Sequence, residues 1–185
     1  MKARGPGQSV LLLLDVVTVL ADQHTDYVVI GALAASVHGS IRATTDADAL
    51  ISVGVPKLRQ LQRALKKAGF STDLQLGDAD DPIPALLAVM DKHGNRVELL
   101  AGLRGFDAEA FLRAVTVPFL GDVLRVVGRE DFIAMKCFAG GPLDIADARN
   151  AIKVANQRID IDLLRRLSRR FGREAADTLE QVLNS

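Results

Sequence analysis

The sequence has 185 residues, of which 49% are hydrophobic and 25% are charged. This composition is typical of a soluble globular protein, and the length suits one domain, or a core domain with a small helical appendage. The 23 basic and 23 acidic residues give a formal net charge of +0, so there is no overall attraction to nucleic acid or to a membrane. Aromatic residues make up 4% and tryptophan is absent, which argues against an RNA-binding surface built on base stacking.

An apolar run over residues 10–21 follows two basic residues and could be mistaken for a signal peptide. Asp15 interrupts the run, which is also too short to span a bilayer, so we interpret it as a buried first helix with its N-cap at Gln8 or Ser9. The single cysteine, Cys137, excludes an internal disulfide, and its apolar neighbours favour a buried side chain over a nucleophile. We expect a cytoplasmic protein with no membrane partner.

Hydrophobic periodicity and turn residues define the predicted elements. The predicted strands cover residues 27–30, 46–53, 70–76, 85–90, 96–101, 115–120 and 123–127. The predicted helices cover residues 10–21, 32–38, 56–68, 107–114, 129–139, 143–155, 160–170 and 173–183. Together they predict an α+β fold, with a mixed β-sheet flanked by helices over residues 1–127 and a C-terminal helical part over residues 128–185 packed on that core.

The first candidate functional residues are Asp46 and Asp48, at the start of the second predicted strand. Residues two apart on a strand point to the same face, so the two carboxylates lie side by side. The alternative interpretation is a pair of solvent-exposed acids at a strand end. The apolar residues between and after them predict a buried strand, where two acids are costly without a cation. We therefore favour a divalent metal site.

Glu98 is the second candidate, because it also lies in an apolar predicted strand. If that strand pairs beside the strand of the two aspartates, Glu98 joins them, and three carboxylates can hold one or two Mg²⁺ ions. The alternative is an exposed acid paired with Arg96 or Lys92.

Lys136 and the acids of the following helix form a third candidate group. Lys136 lies in an apolar predicted helix with few polar neighbours in sequence, where it could meet the phosphates of a nucleotide. Asp144 and Asp147 are three residues apart and share a helix face. Asp144 follows Pro142 near the start of its helix, where capping or the helix dipole explains it equally well. Asp147 is the better candidate to orient Lys136 or to accept a proton.

These residues resemble the nucleotidyltransferase superfamily with the polymerase-beta-like fold. Within that superfamily, the chain is most similar to the small bacterial AbiEii-type and MenT-type proteins, which are toxins of type IV toxin–antitoxin pairs. The superfamily pattern of a hydrophobic residue, Gly, then Gly or Ser, followed by an acid pair, reads here as Ile30-Gly31-Ala32 and Asp46-Ala47-Asp48. The AbiEii-like subset adds a lysine helix followed by an acidic helix, which are present around Lys136 and Asp147.

The resemblance implies a catalytic set of Asp46, Asp48, Glu98, Lys136 and Asp147. Asp46, Asp48 and Glu98 would bind Mg²⁺ or Mn²⁺, and Gly31, Ala32, Arg42 and Lys136 would bind the phosphates of an NTP such as ATP. Arg42 could equally be a surface arginine. Ala32 departs from the family's Gly or Ser and offers only its backbone N–H, and Glu98 stands where Asp is commoner.

The resemblance implies transfer of an NMP from the NTP to an acceptor hydroxyl, with RNA (tRNA) or a protein as acceptor and an antitoxin as partner. The basic stretch from Arg165 to Arg173 could contact RNA, but its spacing on an amphipathic helix is explained more simply as a solvated face. Two alternatives stay open: a catalytically weak nucleotide-binding regulatory protein, and a small-molecule nucleotidyltransferase of the antibiotic-modifying type. His38 could approach the site through the helix after Gly31, but a capping or surface role explains it better.

Overall fold

The computed structural model describes residues 3–41, 44–155 and 158–184. Its strands are β1 (Tyr27–Val29), β2 (Asp46–Ile51), β3 (Ser71–Leu76), β4 (Ala85–Met90), β5 (Arg96–Leu100), β6 (Val115–Phe119) and β7 (Asp122–Val126). Its α-helices are α1 (Ser9–Asp22), α2 (Gly31–Val37), α3 (Val55–Lys67), α4 (Arg129–Ala139), α5 (Pro142–Lys153), α6 (Ile161–Arg170) and α7 (Arg173–Leu183). The predicted α+β fold is confirmed.

The described strands form one mixed sheet in the order β3-β4-β5-β2-β1-β7-β6. β2 lies between an antiparallel neighbour, β1, and a parallel neighbour, β5. β4 and β5 form the predicted antiparallel hairpin, and β3 is the predicted edge strand. The parallel pairing of β2 with β5 matters most for the site, because it places two sequence-distant acidic segments side by side.

The two faces of β2 differ in burial at its start. Ala47 and Ala49 are fully buried on one face, while Asp46 and Asp48 are half-buried on the other. Helices α1 and α3 pack against the sheet, and α3 buries the apolar stripe that its spacing predicts. Each fully buried leucine of that stripe contributes about 2 kcal/mol to folding.

The helices after residue 127 pack mainly on one another, with α4 in contact with α5, α6 and α7. Apolar side chains of α4, including Phe132 and Ile133, belong to the same continuous buried cluster as the sheet residues Val28 and Leu99. The C-terminal helices therefore share the core of the sheet. The division into two parts at residue 127 stays a prediction.

One local prediction is wrong, and a second is confirmed without the expected side-chain contact. The helix predicted for residues 107–114 is only a 3-10 turn, Ala108–Phe111, although Asp107 does cap it by accepting a hydrogen bond from the Glu109 amide. Arg113, in this segment, binds Asp131 at the start of α4 through two N–H groups, at 2.7 and 2.9 Å, and also binds Asp107 at 3.0 Å. At the start of α1, Gln8 is the N-cap residue but makes no side-chain cap.

The hydroxyl of Ser9 joins two strands instead of capping α1. It donates to the Thr45 carbonyl at 2.5 Å and accepts from the Arg96 amide at 3.1 Å. These contacts fix the starts of β2 and β5 relative to each other. Among the described residues, none of the helices combines the length and the apolar character that a membrane crossing needs.

Candidate functional site

The predicted acids meet on one face of the sheet. In the parallel register of β2 and β5, Asp48 lies beside Glu98 and Asp46 lies beside Arg96. Neighbouring strands are about 4.8 Å apart, so the carboxylates of Asp48 and Glu98 are near neighbours. The predicted adjacency of the two strands is confirmed.

Electrostatic repulsion within this group is large. The pKa of Asp48 rises from 3.8 to about 6, because the carboxylate is largely desolvated and because the charges of Glu98 and Asp46 oppose its ionisation. The positive charge of Lys136 acts in the opposite direction on the same carboxylate. Asp48 is therefore the centre on which the charges of β2, β5 and α4 converge.

Glu98 is paired with Arg96 on the same strand, as the alternative interpretation of the sequence has it. Arg96 Nε donates a hydrogen bond to Glu98 Oε1 at 2.9 Å, and Arg96 Nη2 lies 2.7 Å from the same oxygen. Within the described ranges, no three His, Cys, Asp or Glu side chains are gathered into a ready-made metal site. The assignment of Asp46, Asp48 and Glu98 as metal ligands therefore stays a prediction.

The donor chemistry of this group nevertheless fits a divalent cation. Carboxylate oxygens are the preferred ligands of Mg²⁺ and Mn²⁺. Three carboxylates share one sheet face, and the raised pKa of Asp48 records a repulsion that a bound cation would relieve. Arg96 supplies part of that compensation to Glu98 from within the chain.

The predicted glycine turn lies directly against Asp48. Gly31 is the first residue of α2, not the end of the strand, and its φ of +62° lies in the left-handed region. A Cβ at this position would come within 2.1 Å of Asp48 Oδ2. The Ile30 amide also donates to the Asp48 carbonyl at 2.9 Å. Only glycine allows the backbone to approach the carboxylate this closely.

Lys136 is buried in α4 and lies between two carboxylates of α5. Its Nζ is 2.7 Å from Asp144 Oδ1 and 2.9 Å from Asp147 Oδ2. The ammonium also lies 5.6 Å from the centroid of the Phe132 ring. The expected proximity of Asp147 to Lys136 is present, and Asp144 makes the same contact. Of the two interpretations left open for Asp144, the contact with Lys136 is the one present, at the start of α5.

The other residues predicted for the site differ in their positions relative to it. Ala32 is the second residue of α2, next to the Gly31 turn. Arg42 lies outside the described residues, so its predicted contact with phosphate stays a prediction. His38 is the C-cap residue of α2, in line with the expected capping role, but it is buried and so has no surface role; its Nε2 lies 2.8 Å from the Val127 carbonyl oxygen. A lone histidine at a helix end gives no sequence signal for such a contact.

Two arginines of the basic stretch over α6 and α7 are engaged within the chain. Arg165 binds Glu180 through two N–H groups at 2.7 and 3.0 Å, and Arg170 donates to the carbonyls of Gly105 and Phe106. Cys137 is buried as expected, and desolvation raises the pKa of its thiol to about 11. Neither these arginines nor Cys137 adds a functional side chain to the site.

Solved structures with the same fold are nucleotidyltransferases or are similar to them. An antigenic nucleotidyltransferase-like protein from Paracoccidioides brasiliensis is 18% identical, with 98% of this chain and 90% of that chain covered and a TM-score of 0.62. The antibiotic-resistance factor ANT(2'')-Ia is 13% identical, with 95% and 96% covered and a TM-score of 0.62. The lincosamide antibiotic adenylyltransferase LnuA is 11% identical, with 83% and 100% covered and a TM-score of 0.51.

At these identities the likeness concerns the fold alone. No functionally curated protein matches the chain. Residues 11–182 match the family described as "Nucleotidyltransferase of unknown function (DUF6036)". Because this match spans most of the sequence and agrees with the acid pair, the glycine turn and the sheet order, the protein belongs to this nucleotidyltransferase family and is a nucleotidyltransferase enzyme.

Proposed function

We propose that the protein transfers an NMP from an NTP, such as ATP, to an acceptor hydroxyl, with Mg²⁺ or Mn²⁺ held by Asp46, Asp48 and Glu98. The observation that carries this proposal is the parallel register that places Asp48 beside Glu98, together with the pKa of Asp48 near 6. For such a group of carboxylates, binding a cation is more favourable than leaving the negative charges uncompensated. A divalent cation bound there would supply the charge neutralisation that brings a triphosphate close to these acids.

The roles of the side chains follow from their places around Asp48. Gly31 and Ala32 bring backbone N–H groups to the phosphate side, since a helix N-terminus favours an anion. Lys136 carries positive charge to the same region, and Asp147 holds its ammonium in place. Glu98 takes the proton of the acceptor hydroxyl, the hydroxyl oxygen attacks the α-phosphorus, and pyrophosphate leaves with the electron pair of the broken P–O bond.

The acceptor defines two versions of this function. In the first, the protein is the toxin of a type IV pair with an antitoxin partner and modifies RNA, such as tRNA, or a protein, as its resemblance to AbiEii-type and MenT-type proteins implies. In the second, the acceptor is a small hydroxyl compound, which the likeness of the fold to ANT(2'')-Ia and LnuA favours. The intramolecular contacts of Arg165 and Arg170 leave α6 with less free positive charge for RNA than the sequence suggests.

A label-transfer experiment tests the proposal and separates the acceptors. Purified protein, Mg²⁺ and each α-labelled NTP are incubated with total RNA, with cell protein, or with a panel of aminoglycoside and lincosamide compounds. We expect label in one acceptor class, and loss of the label with Asp48→Asn. Asp122→Asn is the matched control, because it removes the same charge from an exposed position on β7. Equal labelling by Asp48→Asn and the wild-type protein would refute the site assignment.

A further inference from the structure

The two carboxylate partners of Lys136 differ in their environment. The side chain of Asp147 is 3% exposed, and that of Asp144 is 28% exposed. Asp144 lies in the first turn of α5, where a Cβ on Gly141 would come within 2.9 Å of its Oδ2. Asp144 therefore contacts Lys136 from the solvent side, while Asp147 contacts it from the protein interior.

Lys136 carries more negative charge around it than it can neutralise. One ammonium contacts two carboxylates and also acts electrostatically on Asp48. The ammonium has three N–H donors, and the two carboxylates of α5 occupy two of its sides. An anionic ligand that approaches Lys136 meets these carboxylates first, so close contact requires that one of them withdraws.

The energetic cost of moving a carboxylate away from Lys136 differs between Asp147 and Asp144. If Asp147 withdrew, its buried carboxylate would lose its contact with Lys136, which is strongly unfavourable. If Asp144 withdrew, its carboxylate could turn to water, so only a partly exposed ion pair would be lost. Asp144 is therefore the partner that a ligand can displace.

We propose that Asp144 occupies Lys136 until the phosphate groups of a nucleotide take its place, while Asp147 stays and positions the ammonium. This inference rests on the proposed function, since it requires that the site binds an NTP. Asp144 is then a specificity-determining residue. It weakens nucleotide binding overall, and only a ligand with enough negative charge to compete with a carboxylate reaches Lys136. Triphosphates are favoured over monophosphates for this reason.

Calorimetric titration of the full chain with ATP and with AMP, in Mg²⁺, measures the effect. We expect Asp144→Asn to bind ATP about 2- to 5-fold more tightly than the wild-type protein, which is the range expected for loss of a partly exposed competing ion pair. Asp144→Glu keeps the charge and should return the affinity towards the wild-type value. Asp147→Asn should weaken ATP binding, because Lys136 loses its fixed partner. Thermal unfolding of each variant checks that it is folded.

A second background distinguishes a contact through Lys136 from a general change of charge. With Lys136→Met, the further change Asp144→Asn should alter ATP affinity no more than Asp122→Asn does in the wild-type chain. If Asp144→Asn binds ATP no more tightly than the wild-type protein, or tightens it equally without Lys136, the inference is wrong and the proposed function stands. If the wild-type protein and all folded variants bind no NTP, the proposed function is wrong, and this inference falls with it.

Discussion

Replacing Asp48 with Asn should stabilise the metal-free protein while abolishing nucleotidyl transfer. A rise of the Asp48 pKa from 3.8 to about 6 means that the folded chain binds this proton more tightly than the unfolded chain. The stabilising contribution is therefore fully present below about pH 4 and is lost as the pH rises through about 6. The pKa difference corresponds to about 3 kcal/mol of unfolding free energy.

The upward direction of the Asp48 pKa shift determines the expected difference in stability between the wild-type protein and Asp48→Asn. At pH 8 the wild-type carboxylate is ionised and repelled by Glu98 and Asp46, whereas Asn at position 48 is neutral and of similar shape. Asp48→Asn should therefore be more stable by about 2–3 kcal/mol at pH 8 and equally stable at pH 4. Urea unfolding in EDTA, repeated at intervals between these pH values, measures the free energies.

The controls decide whether the effect belongs to this site. Asp122→Asn should change stability by less than about 0.5 kcal/mol at either pH, because its side chain is exposed. Added Mg²⁺ at pH 8 should stabilise the wild-type protein more than Asp48→Asn, since a ligand that binds only the folded state stabilises it. A variant no more stable than wild type at pH 8, or equally stabilised at pH 4, would refute the electrostatic reasoning.

Three further changes probe separate features. Gly31→Ala should lower the midpoint of thermal unfolding and abolish label transfer, because its Cβ would come within 2.1 Å of Asp48 Oδ2 at a φ of +62°; a folded, active variant would contradict this. Arg113→Met should lower the free energy of unfolding, measured in urea, by about 3 kcal/mol, because buried Asp131 loses the two hydrogen bonds from this guanidinium. A decrease below about 1 kcal/mol would not support that contact. Cys137, with a thiol pKa of about 11, should react with an aromatic disulfide reagent only as the chain unfolds, so rapid labelling of the native protein would disagree.

The sequence predicts the elements well where short-range chemistry decides them. The spacing of apolar residues defines α3, and a turn between two apolar runs defines the β4–β5 hairpin. The helix predicted for residues 107–114 is wrong. Arg113 in this segment binds Asp131, 18 residues further along the chain, as well as Asp107 close by. Local propensity contains no information on the contact with Asp131, and the pattern there resembles an ordinary capped helix.

The same distinction applies to the candidate site. The alternation of β2 places Asp46 and Asp48 on one face from the sequence alone. Whether Glu98 lies next to that face depends on whether β2 and β5 are adjacent. The periodicity of either strand leaves this open. The ion pair of Lys136 with Asp144 depends on how α4 and α5 pack. A turn at Gly140 and Gly141 between two predicted helices could have indicated an antiparallel contact, and thus a partner for the lysine.

The charge of the site explains why its cationic side chains are placed as they are. Among the described residues, the group contains three more carboxylates than cationic side chains, counting Asp46, Asp48, Glu98, Asp144 and Asp147 against Arg96 and Lys136. A triphosphate alone would be repelled by this excess, whereas two divalent cations would more than cancel it. The chain holds one cation at each side: Arg96 pairs with Glu98, and Lys136 pairs with Asp144 and Asp147. The pKa of Asp48 stays raised, first by desolvation and then by the charges of Glu98 and Asp46, so a cation bound beside this carboxylate would compensate a charge that the chain leaves unfavourable.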